Sequence, residues 1–545
     1  MRFKILVAGE IHETGLSALS LSPSLDVDVR IGLDEKHLQE ILPRYDAIVI
    51  GDDVTIQAAV LDSCPGLKVI AKAGVDFENI DIQAATRRGV IVMNAPAGHI
   101  VSAAEHTIAL ITAAHRHIPT AVDSMKQGKW EKKKFQGREM AGKTLGIIGF
   151  GKTGALVARY AARGLRMNVL IHDAVIPSNT IKQQGFKPVS LKELLCQSDA
   201  ISLHVPLTSN TKNLLNSKAF DLMKPGAIVI NIGKAGLIHE NSLWAALESG
   251  KVACAGVDAH FDIHAKNSLL LNHPKVIATP DLSVATDEAR AKISQSIAES
   301  LRDFFENGTL GNAVNVPIVD PALRTKMGPY AELARRLGMF VGGLSSGSAS
   351  KIEVSFRGEL VGWDVKPLTT SVLTGFLNVF KGSDVNLVNA NVTAQECGIQ
   401  VHETILKESS EGRPSITIEV FSTNKVSTRV EGVLIRRFGE EPRIIGLNEF
   451  VTEAVPAGPM LIVKNRDIPG MIAGISGILA QKMVNVAQMN LSRNCAGGTA
   501  ISITNIDSPA DEETLEKIRN IDGILSVDQI ILEDLPELNV CVASN

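Results

Sequence analysis

The chain has 545 residues, 45% apolar, 21% charged and 4% aromatic, with a formal net charge of −4. At about 100–200 residues per domain, roughly three or four domains are predicted, each able to bury a core. The near-neutral charge argues against nucleic-acid or anionic-membrane partners, and no run reaches the ~18 apolar residues of a membrane span. The six cysteines are scattered without a CxxC pair or a His cluster, which argues against zinc or any other metal and fits a reduced, cytoplasmic setting.

In chain order, the opening residues are too short an apolar run for a secretory signal and read as a first strand. Phe3–Gly9, Ala47–Gly51, Leu67–Ala71 and Val90–Met93 are β-branched runs bounded by turn residues and are predicted as buried strands. Ile56–Ser63 and Ile82–Arg88 carry helical patterns between them, and this alternation predicts a doubly wound parallel sheet. Ser102–His115 reads as a long apolar helix that ends near Pro119.

Thr144–Ala158 then sets a strand, Gly149-x-Gly151-x-x-Gly154 and a helix in series, with Lys152 and Thr153 at the helix start. Gly149 makes the tight turn, Gly151 admits a pyrophosphate, and Gly154 lets helix and strand pack closely. The next strand, Met167–His172, ends in Asp173, whose carboxylate can bond both ribose hydroxyls and repel a 2′-phosphate. A Gly-rich turn is the bland reading, but strand, glycines, helix, second strand and acid in that order predict NAD rather than NADP.

Further on, Val276–Ala278 reads as a strand, and Asp281 follows directly behind Thr279-Pro280. An acid at the end of a parallel strand lies where such sheets place their chemistry; a helix N-cap is the other reading. Residues 306–330, rich in Gly, Asn and Pro, read as a domain exit. Residues 326–455 mix helices with alternating strands such as Lys351–Phe356 and Ser415–Val420. From 458 the order strand, helix, strand, strand, helix, strand predicts a ferredoxin-like α+β unit.

Ala103-Ala-Glu-His106, Gly128-Lys-Trp130, the glycine motif, His204-Val-Pro-Leu207 with Thr211, and Ala255-Gly-Val-Asp258 together resemble the D-2-hydroxyacid dehydrogenases. The resemblance is closest to the long form of the D-3-phosphoglycerate dehydrogenase family, which opens serine biosynthesis, and it covers nearly the whole chain. It implies a substrate-binding domain split as 1–98 and 286–325 around an NAD-binding Rossmann domain at 99–285. An α+β domain like the allosteric-substrate-binding domain follows at 326–455, and an ACT regulatory domain at 458–535. The resemblance also implies dimers or tetramers, and adds Val205, Ile232 and Asp258 to the cofactor site. Asp467 and Asn485 match positions that hold an amino-acid effector across a subunit interface; on the residues alone, Asp467 caps a helix and Asn485 fixes a turn equally well. Gly382–Asn389 resembles the intervening domain.

The chain departs from the family where the chemistry lies. The family's catalytic Arg falls on Lys234 within Gly233-Lys-Ala-Gly236, its Glu on Ile263 with Asp262 alongside, and its His on Asp281. A free imidazole titrates near 6.5 and a free Asp near 3.9, a loss of about 3.5 kcal/mol of proton-transfer driving force. Lys234 cannot form the planar bidentate clamp of an Arg, and a Lys234–Asp281 pair would neutralise both. Two further family Arg positions carry Gly51 and Lys72, with Asp52, Asp53 and Asp76 nearby, whereas a phosphorylated acid needs guanidinium forks. His99, where the family has an amide, reads as a replacement base or as a solvated loop histidine. Lys132-Lys133-Lys134 attracts an anion or is simply a solvated basic patch.

Two readings follow. One is an NAD-binding, oligomerising paralogue with weak or no phosphoglycerate oxidation, a regulator alone or in hetero-oligomers with an active partner. The other is an active oxidoreductase for 3-phosphoglycerate or a less anionic 2-hydroxy or 2-keto acid.

Overall fold

The structure, a computed structural model, describes residues 2–258, 270–317, 323–345, 348–406, 413–423, 427–436 and 440–533. Its first sheet contains β1 (Phe3–Val7), β2 (Leu25–Val29), β3 (Ala47–Ile50), β4 (Val69–Lys72) and β5 (Ile91–Met93). All are parallel, in the order β2-β1-β3-β4-β5. Strands β3, β4 and β5 are buried at every residue, as strands covered on both faces must be, and so they read as apolar runs, with Lys72 at the end of β4 the one charged residue in them. The sequence reading omits β2, an edge strand in which two Asp interrupt the apolar run.

Two helices differ from expectation. Ile56–Ser63 shortens to Ala58–Asp62, because Ile56 forms a bridge to Ile80 instead. The long apolar helix runs Ile100–Arg116, and Pro119 does not lead it into a loop. His117 turns the chain in the left-handed conformation, and Pro119 lies in the first turn of a second helix, Ile118–Lys126, where its missing N–H leaves no bond unmade.

The second sheet contains β6 (Thr144–Ile148), β7 (Asn168–His172), β8 (Lys187–Pro188), β9 (Ala200–Leu203), β10 (Ala227–Asn231), β11 (Val252–Val257) and β12 (Val276–Ala278). It too is parallel, ordered β12-β11-β10-β9-β6-β7-β8. The order reverses between β6 and β9, as it does between β1 and β3 in the first sheet, and ligands bind at the carboxyl ends of strands beside such reversals. After β12 the helix Asp287–Asn307 returns to the first sheet, packing Ile293, Ile297 and Leu301 against the core that holds Ile5 and Val7. A Cβ on Gly15 would meet the Ser294 side chain at 2.6 Å, so the two chain segments touch there.

A third sheet contains β13 (Ala349–Phe356), β14 (Gln400–Ile405), β15 (Ser415–Ser422), β16 (Ser427–Arg436), β17 (Glu440–Leu447) and β18 (Phe450–Ala454). It is antiparallel except for the β13–β14 pair. The helices Arg324–Leu344 and Lys366–Lys381 share its apolar core. The fourth sheet contains β19 (Pro459–Arg466), β20 (Val486–Arg493), β21 (Thr499–Ile506) and β22 (Ile524–Ile531), antiparallel in the order β20-β21-β19-β22. With helices Met471–Gln481 and Glu512–Arg519 it has the ferredoxin-like order predicted from the sequence. Among the described residues no helix is long and apolar enough to cross a membrane.

Candidate active site in the cleft between the parallel sheets

At the end of β6, Gly149 turns the chain at φ 98°, and its N–H donates to the His172 carbonyl at 2.9 Å. A Cβ on Gly149 would collide with the His204 carbonyl, and one on Gly154 would overlap the Gly149 carbonyl. Gly151 differs: it caps the helix Lys152–Arg163 at φ −66°, and nothing lies within 4 Å of the place its Cβ would take. The result is an open cradle in front of unpaired helix N–H groups, which suits a pyrophosphate. Gly151 and Lys152 border a cavity of about 730 Å³ that also touches Ile176.

Asp173, just past β7, accepts N–H bonds from Phe150 at 2.6 Å, Val175 at 2.8 Å and Ile176 at 2.7 Å. Burial raises its pKa, but these three bonds outweigh it and hold the carboxyl below its usual range. Asp173 is therefore an anion beside the cradle, with one acceptor site left on Oδ2 for a ribose hydroxyl. Thr153, Val205 and Ile232 line a larger adjoining cleft of about 1020 Å³. Cradle, acid and cleft wall fit the two halves of NAD, which supplies a hydride acceptor or donor when bound.

The larger cleft lies at the carboxyl ends of both parallel sheets, lined by Glu10 after β1, Gly51–Asp53 after β3, Gly74–Asp76 after β4, His204 after β9, Lys234 after β10 and Asp281 after β12. Buried Asn231 clamps the Lys234 turn: its Nδ2 donates to the Lys234 carbonyl at 3.0 Å, and its Oδ1 accepts from the Gly233 N–H at 3.0 Å. Lys234 Nζ lies 2.7 Å from Glu78 and 3.2 Å from Asp76. Burial lowers its pKa, but these two acids outweigh that and raise it above the ordinary value. The Lys234–Asp281 pair raised by the sequence is thus replaced by a Lys234–Asp76–Glu78 triad, because the loop after β4 reaches across the cleft. Lys72 Nζ is fully buried and donates to the Gly51 carbonyl at 2.8 Å and to Asp52. It lies beneath the cleft rather than presenting its charge there.

Asp281 lines the cleft in the left-handed conformation at φ 53°, at the start of the short turn Leu282–Val284, and makes no side-chain cap bond to it. The N-cap of the following long helix is Thr286, so the N-cap reading of Asp281 falls away. Asp262 and Ile263 lie outside the described residues. His99 lines the cleft at the start of the helix Ile100–Arg116; its Nδ1 is buried without a partner, and burial lowers its pKa. It is no solvated loop histidine. His204 is held to about 4 by burial, with Nε2 2.9 Å from Ser202 Oγ, so it is neutral at pH 7.

Asp258 is placed differently from the other cofactor candidates. It is fully buried; Oδ1 accepts from Thr279 Oγ1 at 2.7 Å and the Leu282 N–H at 2.8 Å, and Oδ2 from the Ser283 N–H at 2.8 Å. Burial raises its pKa, but His106, Thr279 and the two amides pull it well below the usual carboxylate range. His106 Nε2 lies 3.1 Å from Thr279 Oγ1. Asp258 thus latches the segment that carries Asp281.

In the fourth sheet's unit, Asp467 accepts from the Gly497 N–H at 3.0 Å and pairs with Arg493 at 3.1 Å. It does not cap the next helix, whose N-cap is Gly470. Asn485 Nδ2 donates to Asp507 at 2.8 Å, which ties the start of β20 to the end of β21. Lys132–Phe135 forms a short exposed 3-10 turn with Lys134 paired to Glu131, away from the cleft lining.

Sequence reasoning missed Glu10, His12, Glu78 and Arg290. Glu10 was findable, since it follows β1 beside a strand-order reversal. Glu78 gave no signal, because its pairing with Lys234 spans 156 residues of chain.

Residues 108–283 match the family described as D-isomer specific 2-hydroxyacid dehydrogenase, NAD binding domain, and residues 326–448 match the D-3-phosphoglycerate dehydrogenase intervening domain. The chain is 34% identical to a D-3-phosphoglycerate dehydrogenase of Archaeoglobus fulgidus over 97% of its own length and 100% of the relative's. It is 32% identical to that of Bacillus subtilis over 98% and 100%. Among solved structures, a glyoxylate reductase from Paecilomyes thermophila superposes with a TM-score of 0.52 at 29% identity, covering 57% of this chain and 98% of the other. With the NAD cradle at its second sheet and relatives matched end to end, the chain belongs to the D-3-phosphoglycerate dehydrogenase family and has NAD as its cofactor.

Proposed function

We propose that the chain is an NAD-binding paralogue of D-3-phosphoglycerate dehydrogenase with weak or no oxidation of phosphoglycerate, serving in the cytoplasm as a regulatory or oligomerising subunit. The observation that supports this most is the state of its cations. Lys234, in place of the family Arg, is taken up by Asp76 and Glu78, and Lys72 is buried against Gly51 and Asp52. A substrate with roughly three negative charges then meets carboxylates where it needs guanidinium forks. A carboxyl group, Asp281, stands in place of the imidazole, and a free carboxyl titrates farther from neutral pH than a free imidazole. Groups that act as a unit fail together. The test is the purified full chain with NADH and 3-phosphohydroxypyruvate: turnover no higher than background is expected, and an ordinary enzymatic rate rejects the reading.

A second reading, an active oxidoreductase for a less anionic 2-hydroxy or 2-keto acid, is favoured by the open cleft beside an intact cofactor cradle. In it, Lys234 holds a carboxylate, while Asp281, with Asp262, handles the proton. In either reading the unit 458–535 serves as an ACT domain, with Asp467 and Asn485 as the effector positions, and the chain assembles as a homo-oligomer or with an active paralogue.

A further inference from the structure

The two parallel sheets build separate apolar clusters, one set around Ile5, Val7 and Ile48 and the other around Ile147, Ile201 and Val229. Two passages of chain join their units: one before the helix Ile100–Arg116, the other before the helix Asp287–Asn307. The passages lie side by side, with Ser102 Oγ 2.6 Å from Thr286 Oγ1. Adjacent passages of this kind let two units swing about a hinge unless a contact across the cleft fastens them.

Lys234 makes such a contact. It stands on the turn after β10, in the second sheet's unit, while Asp76 and Glu78, 3.2 and 2.7 Å from its Nζ, lie on the loop after β4, in the first. An isolated exposed ion pair contributes little, and a charge network with fixed geometry contributes more. Both loops are fixed here. Buried Asn94 donates to the Val75 carbonyl, the Ala95 N–H donates to the Gly74 carbonyl at 2.9 Å, and Asn79 Nδ2 donates to the Gly51 carbonyl at 2.9 Å. On the other wall Asn231 clamps the Lys234 turn. Lys234 and Asp76 are also half-buried, where salt screens them less. Thr153, Val205 and Ile232, the wall that fits the cofactor, line the same cleft as Asp76, so a dinucleotide seated there lies between the fastened units.

We infer that the Lys234–Asp76–Glu78 triad is an ion latch that holds the two parallel-sheet units closed over bound NAD and slows release of the cofactor. The inference needs only NAD binding, so it holds under either reading of the activity.

The experiment compares the full chain with the double variant Asp76→Asn, Glu78→Gln. NADH release is followed by stopped-flow fluorescence on mixing with excess NAD, and access to bound NADH by acrylamide quenching of its fluorescence. The two acids and the dinucleotide are all anions, so by charge alone removing the acids slows release. The latch gives the opposite sign: release at least about threefold faster, with an acrylamide quenching constant at least about twofold larger. Acrylamide is neutral, so the second readout does not follow charge. The melting shift produced by NADH reports that the variant is folded. Unchanged or slower release, or unchanged quenching, overturns the inference. Neither readout involves turnover, so failure of the latch leaves the proposed loss of phosphoglycerate oxidation standing, and brisk reduction of 3-phosphohydroxypyruvate leaves the latch standing.

Discussion

Asp258 shows how one buried side chain sets the geometry of a neighbour that faces the cleft. Its carboxylate holds Thr279, Leu282 and Ser283 on either side of Asp281. Asp258→Ala strands the two amides in the interior and is expected to cost about 2–4 kcal/mol. Because the folded pKa is depressed, this stabilisation is present above the unfolded value of about 3.9 and drains away as pH falls through the lower folded value. Urea midpoints of wild type and variant are therefore expected to differ most above pH 5 and to converge in strong acid. Restoring the family's charges is the complementary change. Asp281 sits at φ 53°, which His tolerates, and the Cβ of Gly51→Arg meets only exposed Asp53 closer than van der Waals contact. Asp281→His, Lys234→Arg and Gly51→Arg together are expected to raise reduction of 3-phosphohydroxypyruvate at least about tenfold, equivalent to ~1.4 kcal/mol of barrier. Adding Asp76→Asn and Glu78→Gln frees the residue at 234 from both acids and raises it further; a fall in rate shows that the cleft has chemistry of its own.

At the scale of elements, the strand–turn–helix from Thr144 to Arg163 carries cofactor binding, and its glycines separate packing from recognition. Gly154 lies against the Gly149 carbonyl, so Gly154→Ala overpacks the turn and is expected to cost ~1–3 kcal/mol of stability. Gly151 faces open space at a φ any residue accepts. Gly151→Ala is expected to change stability by less than about 1 kcal/mol while weakening NADH binding at least about tenfold, because the methyl group occupies the pyrophosphate cradle. Fluorescence titration of NADH alongside thermal melts distinguishes the two variants. Equal affinity of Gly151→Ala and wild type removes the phosphate role of this turn.

Over the whole molecule, the third and fourth sheets' units share one apolar core, with Met460, Ile462 and Ile530 packed in the cluster that holds Leu337 and Phe340, and specific polar contacts join the units as well. Asn386 donates to the Gly89 carbonyl at 2.9 Å, which docks the third sheet's unit on the first. Arg336, fully buried, donates to the Pro456 carbonyl at 3.0 Å and the Glu533 carbonyl at 2.6 Å, which ties the long helix to both ends of the last unit. NAD binds only the folded form of the second sheet's unit. At a hundredfold excess over Kd it is expected to add about 2.7 kcal/mol to that unit and to raise its melting midpoint. No shift at millimolar NAD contradicts an intact cofactor site.

The periodicity of Phe3–Gly9, Ala47–Gly51 and Val90–Met93, the spacing of Gly149, Gly151 and Gly154, and the strand–helix order after 458 sufficed to foresee parallel sheets, the NAD turn and the ferredoxin-like unit. These are local signals: burial on both faces, a tight turn and a helix start are written within a few consecutive residues. β2 escaped because an edge strand half open to water need not be apolar. The fate of the charges was settled by tertiary structure alone. Lys234 meets Glu78 across 156 residues, Asp258 turns inward to hold Leu282 and Ser283, and His99 is left with an unpaired buried nitrogen. Ion pairing and desolvation depend on distances between strand ends that are remote in sequence, so the sign of this cleft emerges only when the two sheets face each other.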